Sequence, residues 1–184
     1  MAKKVLIVAG DAVEAQELFY PYWRLKEEGF EVHVAAPKKK VLFTVVHDFE
    51  PGIETYTEKP GYRFPWVDIE YKDVKPEEYD GLFIPGGRAP EYMRTDEELR
   101  RIVEHFIKNN KPIAAICHGP LVLTGYDLVK GKTLTAYPVL KYEIINAGAK
   151  FEDKELVVDG NILTSRAWPD LPALLKAFIE KIKS

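Results

Sequence analysis

The sequence predicts a doubly wound α/β protein, a mostly parallel sheet sandwiched between helices, and three observations carry that prediction. Four short runs, "KVLIVAG" (4–10), "EVHVAA" (31–36), "GLFIPGG" (81–87) and "PIAAIC" (112–117), are apolar at nearly every position and end in turn residues. A strand apolar on both faces belongs in a buried parallel sheet, because an antiparallel sheet with one wet face would alternate. Helical stretches lie between these runs, and β-α-β order with right-handed crossovers winds helices onto both faces. With 184 residues, 46% of them hydrophobic and 12% aromatic, the chain can bury a sizeable core within one domain spanning residues 1–184.

The elements follow in order. After the first strand, "AVEAQELFYPYWRLKEEG" (12–29) reads as a helix closing on Gly29, with Pro21 expected to kink or split it. The segment Val41 to Lys75 is the least regular, rich in aromatic residues, Pro and Gly; extra strands or a covering flap are expected there, at a substrate rim or a subunit contact. In "TDEELRRIVEHFIKNN" (95–110), Thr95 or Asp96 can cap, acids fill the first turn, and Leu99, Ile102, Val103 and Phe106 share one face. "KYEIINAGA" (141–149) reads as an amphipathic helix ending at Gly148. In "ELVVDGNILTSR" (155–166), Asp159-Gly160 joins two strands as a hairpin. A last helix, Leu171 to Ile182, presents Leu174, Leu175, Phe178 and Ile182 on its apolar face.

Charge and cysteine usage narrow the function classes. The 26 basic and 29 acidic residues are interspersed and give a formal charge of -3, so no nucleic-acid footprint is present. Lys38 to Lys40, the densest basic run, is read as a solvated turn. No segment approaches the roughly 18 continuous apolar residues of a membrane span. "MAKKVLIVAG" is too short an apolar run for a signal peptide, and a single cysteine forms no internal disulfide, so a soluble protein of the reducing cytoplasm is expected. No His/Cys/Asp/Glu cluster has metal-ligand spacing, and no cofactor is expected.

Ligands of an open parallel sheet bind at the carboxyl ends of its strands. Three such loops carry chemistry here: Glu14 and Glu17 after the first strand, "PGGRAPE" (85–91) after the third of the apolar runs, and Cys117-His118 after the fourth. A lone cysteine behind "IAAI" is ordinarily a core packer. Gly119 and Pro120 change that reading, since glycine admits backbone angles closed to other residues and proline opens a helix, so the chain can swing sharply at Cys117. A thiol at a helix N-terminus faces free N–H groups that favour thiolate. His118 reaches the same site only if the pair sits in the turn, because neighbours on a strand face opposite ways. A catalytic imidazole needs an orienting carboxylate, and Glu91 is the nearest by topology. Gly86 and Gly87 can present backbone N–H groups to an oxyanion. Glu14, if it points into the crevice beside a thiolate, should titrate high and share its proton with the sulfur; Glu17, one helical turn on, is the fallback.

"AICHGP" (115–120), "IPGGRAPE" (84–91) with Glu91 26 positions before Cys117, and "VEAQELFYPYWRLKEEGFEV" (13–32) together resemble the PfpI intracellular proteases. These belong to the superfamily of the Parkinsonism-associated protein DJ-one and share its flavodoxin-like fold, similar to that of class I glutamine amidotransferases. The resemblance runs from Lys4 to the last helix and includes "YPVLKYEIINAGAKFEDKELVVDGNILTSR" (137–166). It implies a three-layer α/β/α sandwich with a nucleophile elbow. It further implies Cys117 as nucleophile, Glu14 as the acid hydrogen-bonded to it, His118 as imidazole partner, and Gly87 with the His118 N–H as oxyanion donors. In the PfpI branch the acid matching Glu91 comes from a neighbouring subunit, which implies a homo-oligomer, dimers building a hexameric ring. The implied activity is cysteine-dependent hydrolysis, as peptidase or deglycase, on a peptide or a small carbonyl substrate. A glutathione-independent glyoxalase is the alternative, as is a stress protein whose thiol oxidises to a sulfinate. An amidotransferase is excluded, because its triad takes a histidine downstream of the cysteine and the four here, His33, His47, His105 and His118, include none beyond the elbow. Two departures stand out: Ala15 where an acid often follows the family's first-helix glutamate, and a longer Val41 to Lys75 segment.

Overall fold

The four apolar runs become the central strands of a seven-stranded sheet, as burial on both faces requires. The structure, a computed structural model, describes all 184 residues, Met1–Ser184. In chain order the strands are β1 (Lys4–Val8), β2 (Val13–Glu14), β3 (Glu31–Ala36), β4 (Leu42–Asp48), β5 (Thr57–Phe64), β6 (Ile69–Glu70), β7 (Gly81–Ile84), β8 (Ile113–Ile116), β9 (Thr133–Leu134), β10 (Lys150–Phe151), β11 (Val157–Asp159) and β12 (Ile162–Ser165). The helices are α1 (Ala15–Glu27), α2 (Pro90–Met93), α3 (Glu97–Lys108), α4 (Pro120–Gly125), α5 (Lys141–Asn146) and α6 (Leu171–Lys183). The main sheet has the order β11-β12-β8-β7-β1-β3-β6 and is parallel throughout except for β11, which runs antiparallel to β12. Every residue of β7 and β8 is buried, so the flavodoxin-like α/β/α expectation holds. The order reverses at β1, where β3 lies on one side and β7 on the other, and ligand crevices form beside such switch points.

The helices cover the sheet with the faces their spacing predicts. Asp96 caps α3, its Oδ1 accepting from the Glu98 and Leu99 N–H groups, while Leu99, Ile102, Val103 and Phe106 are fully buried. On α6, Leu174, Leu175, Phe178 and Ile182 are buried likewise. One contiguous apolar core joins both faces of the sheet.

Four local expectations are corrected. Helix α1 runs unbroken through Pro21. The proline removes only its own backbone donor, and the buried face of Leu18, Tyr22 and Leu25 holds the helix together. The β11–β12 turn sits one residue later than expected: Asp159 pairs with Ile162 and the two-residue loop is Gly160-Asn161, with Gly160 at φ 59°. A hairpin loop of two residues places positive φ at its first position, which selects the glycine rather than the aspartate. Third, α5 stops before a left-handed Gly148 at φ 86° as expected, but it is six residues long and buries only Ile144 instead of an apolar face. At the elbow, Gly119 has ordinary helical angles, φ -52° and ψ -40°; the left-handed residue is Cys117 itself, at φ 61°. Glycine is needed at 119 for a different reason, since a Cβ there would press into the Ile84 carbonyl oxygen and lie 2.8 Å from that of Ile116.

The Val41 to Lys75 segment folds as expected of a flap with strands. Strands β4 and β5 pair as an antiparallel hairpin, and β2 joins β4 in parallel to complete a small second sheet. That sheet carries the hairpin from the start of α1 to the carboxyl end of β8.

Candidate active site

Strand β8 delivers Cys117 to the turn that leads into α4. The Cys117 N–H donates to Ser165 O on the neighbouring strand and the Gly119 N–H to Ile116 O, which fixes the turn while φ stays at 61°. A non-glycine residue in this region stores about 1–2 kcal/mol of strain, a feature that clusters at functional sites. Because the pair lies in the turn and not in the strand, both side chains reach one place: His118 Nδ1 is 3.2 Å from Cys117 Sγ. Cys117 is 4% exposed and His118 5%.

The glycine loop after β7 closes against this turn. A Cβ on Gly86 would lie 2.6 Å from Glu17 Oε1, 2.7 Å from the Cys117 Cβ and 2.9 Å from the His118 nitrogen, so only glycine fits between the three residues. The Gly86 N–H donates to Glu17 Oε1 at 2.9 Å and is not free for an oxyanion, which corrects the expectation for Gly86. The N–H groups of Gly87 and His118 face the sulfur. Gly87 is held at φ 82°, which glycine adopts freely.

The acid beside the thiol is Glu17, where Glu14 was expected. Glu14 immediately precedes α1 and caps it, its Oε2 accepting from the Glu17 N–H at 3.0 Å, while its Oε1 is buried with no hydrogen-bond partner. Glu17 is fully buried, its carboxyl lies beside the Cys117 thiol, and its Oε2 has no hydrogen-bond partner. Burial pushes Glu17 well above the usual carboxylate range, and the Glu14 charge adds to it. Burial and the Glu17 carboxyl push the Cys117 thiol up, against the pull of the Gly87 and His118 N–H groups. The two groups therefore hold a proton between them, and a protonated Glu17 can donate to a thiolate. The short, six-residue α4 does not by itself lower the thiol as its N-terminal position suggested. Burial, followed by the charge of His47, lowers His118 to about 4, so the imidazole beside the sulfur is neutral near pH 7.

Glu91 lies in the exposed first turn of α2 and makes no hydrogen bond to His118 of its own chain. The rings packed around His118 come from elsewhere: Tyr137 stacks on it at 5.3 Å, and Tyr56 and His47 stand edge-on at 5.7 and 6.1 Å. The sequence offered no signal for His47 or Tyr56, because it does not disclose where a flap folds back.

A doubly wound α/β fold bearing a cysteine on a strained strand-to-helix turn, with a buried carboxyl and an imidazole beside it, defines a class of proteins. The DJ-1/PfpI family model matches residues 3–181, and the chain belongs to that family. A deglycase of Pyrococcus abyssi is 42% identical over 180 residues, covering 98% of this chain and 99% of the relative. Deglycase PfpI of Pyrococcus furiosus is 40% identical over the same length, with 98% and 99% covered. Among solved structures, a two-domain protein of Anabaena variabilis with DJ-1/ThiJ/PfpI-like and ferritin-like domains superposes with a TM-score of 0.82 at 34% identity, covering 98% of this chain and 48% of that one. No helix here is long and apolar enough to cross a membrane.

Proposed function

We propose that the protein is a cysteine-dependent hydrolase acting as a deglycase on carbonyl adducts, with residues 1–184 as one domain and Cys117 as nucleophile. The observation that carries this reading is the buried Glu17–Cys117–His118 cluster on a turn strained at the cysteine, in a chain 42% identical to a protein named a deglycase. In the first step the Cys117 sulfur attacks the carbonyl carbon. A C–S bond forms and the carbonyl π pair moves to oxygen; the Gly87 and His118 N–H groups, which face the sulfur, are the donors assigned to that charge in this reading. Glu17 holds the thiol proton, and neutral His118 accepts and returns protons in the later hydrolytic step.

The exposed position of Glu91 supports a homo-oligomer in which this carboxylate reaches His118 of another chain, as in a hexameric ring. Apolar surface supports self-association too: a cleft of about 490 Å³ beside α1 is lined by Phe19, Trp23, Tyr62 and Trp66.

The test uses methylglyoxal adducts of N-acetylated cysteine, lysine and arginine alongside a fluorogenic peptide. Cys117→Ser is expected to lose at least about 10³-fold in turnover of the adducts while its melting temperature stays close to that of the parent. Undiminished turnover in that variant overturns the reading. Cleavage of the peptide alone would assign a peptidase instead. The neutral imidazole beside the sulfur also suits a glyoxalase, which moves a proton between adjacent carbons of the thiohemiacetal; release of lactate from free methylglyoxal distinguishes it.

A further inference from the structure

The β4–β5 hairpin lays a second imidazole beside the Cys117 turn. His47 of β4 is 3% exposed and pairs across the hairpin with Glu58 of β5, its Nε2 2.9 Å from Glu58 Oε2. Glu58 is in turn clamped by Arg88 of the glycine loop, whose Nε and Nη2 both lie 3.1 Å from Oε1. The chain Arg88–Glu58–His47 thus ties the loop behind the sulfur to the flap in front of it. The His47 ring stacks on Tyr56 at 4.3 Å and stands edge-on to His118 at 6.1 Å and 75°. Its Nδ1 is buried with no hydrogen-bond partner. Leaving such an atom unpaired is costly, and a phenyl ring would fill the same space without that cost. Nothing in the proposed reaction uses His47.

We propose that His47, oriented by Glu58 and Arg88, is a positioning residue for His118, setting the protonation state and orientation that the second imidazole presents to the Cys117 sulfur. The surroundings leave His47 alone in this role. His118 is faced by Cys117 on its own turn, by Tyr137 from the loop after β9, and by His47 and Tyr56 from the hairpin, while Glu14 and Glu17 approach from the start of α1 on the sulfur side. His47 is faced by Glu58, Tyr56 and His118; its backbone N–H is directed at the Glu14 carboxyl and its carbonyl accepts from Trp168 Nε1. Of the groups that face His118 only His47 can become a cation, since Arg88 contacts Glu58 and not the His118 ring. A proton on His47 opposes a proton on His118, in keeping with the depression of His118 by burial and then by His47.

The inference rests on His118 serving Cys117 as proposed above, and its readouts are chosen to need no turnover. They are the ¹⁵N imidazole shifts of His118 and the rate of Cys117 alkylation by iodoacetamide, each followed from pH 4 to 9. In His47→Gln, whose amide retains a donor for Glu58 but carries no charge, the His118 titration is expected to move up by about one pH unit, with the acid limb of the alkylation profile moving alongside it. His47→Phe, which keeps the ring on Tyr56, should give the same direction. A merely structural role would lower the melting temperature and leave both profiles in place, and unmoved profiles in either folded variant overturn the inference. Should neither variant fold, Glu58→Gln, which removes the carboxylate that holds a proton on His47, takes their place: His118 is expected to titrate higher, and unmoved profiles overturn the inference. A chain that turns over no adduct defeats the proposed function and leaves this test standing.

Discussion

Glu17 and Glu14 sit three residues apart, and their side chains do different work. Glu17 faces the thiol, whereas Glu14 closes the end of α1. Glu17→Gln is therefore expected to lower kcat/KM by about 10–100-fold, with Glu14→Gln within about threefold of the parent; steady-state kinetics on the preferred adduct check the order. Glu14 is expected to show itself in stability instead. Burial raises its carboxyl to about 7 from the ordinary 4.5. Between those values the folded chain holds a proton that the unfolded chain releases, so this contribution is lost as pH rises from about 4.5 to about 7. His118, lowered to about 4, acts with the opposite sign: the unfolded chain takes up a proton below 6.5, so stability is gained as pH rises from about 4 to 6.5. Melting temperature followed from pH 5 to 7 should fall less steeply in Glu14→Gln than in the parent, and more steeply in His118→Gln. The sequence showed two acids one helical turn apart but not which faces the sulfur, because that depends on where α1 begins relative to the glycine loop.

Helix α3 shows how far pattern alone carries an element. Its cap at Asp96 and its buried face of four residues emerge as the spacing predicts, since one side of an isolated amphipathic helix has a single place to go. Phe106→Ala is expected to cost about 3–5 kcal/mol in urea unfolding. The elbow is less legible. "CHGP" announced a sharp turn, but the strain lies on Cys117 and the steric demand on Gly119, reversing the reading in which glycine supplied the unusual angles. Gly119→Ala is accordingly expected to destabilise by about 3 kcal/mol or more, because its new methyl meets main-chain oxygens of Ile84 and Ile116 that cannot rotate away. Calorimetry distinguishes this from the cost of about 0.5 kcal/mol or less usual for an exposed site.

For the whole molecule, the open question is whether one chain completes the site. Glu91 is exposed in the first turn of α2 and makes no hydrogen bond to His118 of its own chain. If the carboxylate comes from a neighbour, a Cys117→Ser chain and a Glu91→Gln chain, each inactive alone, should regain activity when refolded together, since mixed contacts join an intact Cys117-His118 pair to an intact Glu91. Activity of the mixture no greater than the sum of its parts would place Glu91 outside the reaction. Mass photometry of the same samples reports the oligomeric state.

The sequence by itself determined the α/β class, the central strands, the faces of α3 and α6, and the meeting of Cys117, His118 and the glycine loop. Each of these follows from local periodicity and from the rule that parallel strands gather their carboxyl-end loops at one edge. Only the tertiary structure decided that Glu17 rather than Glu14 faces the thiol, that the Gly86 N–H is committed to it, and that His47 of a distant hairpin lies edge-on to His118. These are contacts between residues far apart in the chain, or choices between acids about one helical turn apart. Periodicity is blind to both, because they depend on how the hairpin and α1 dock against the finished sheet.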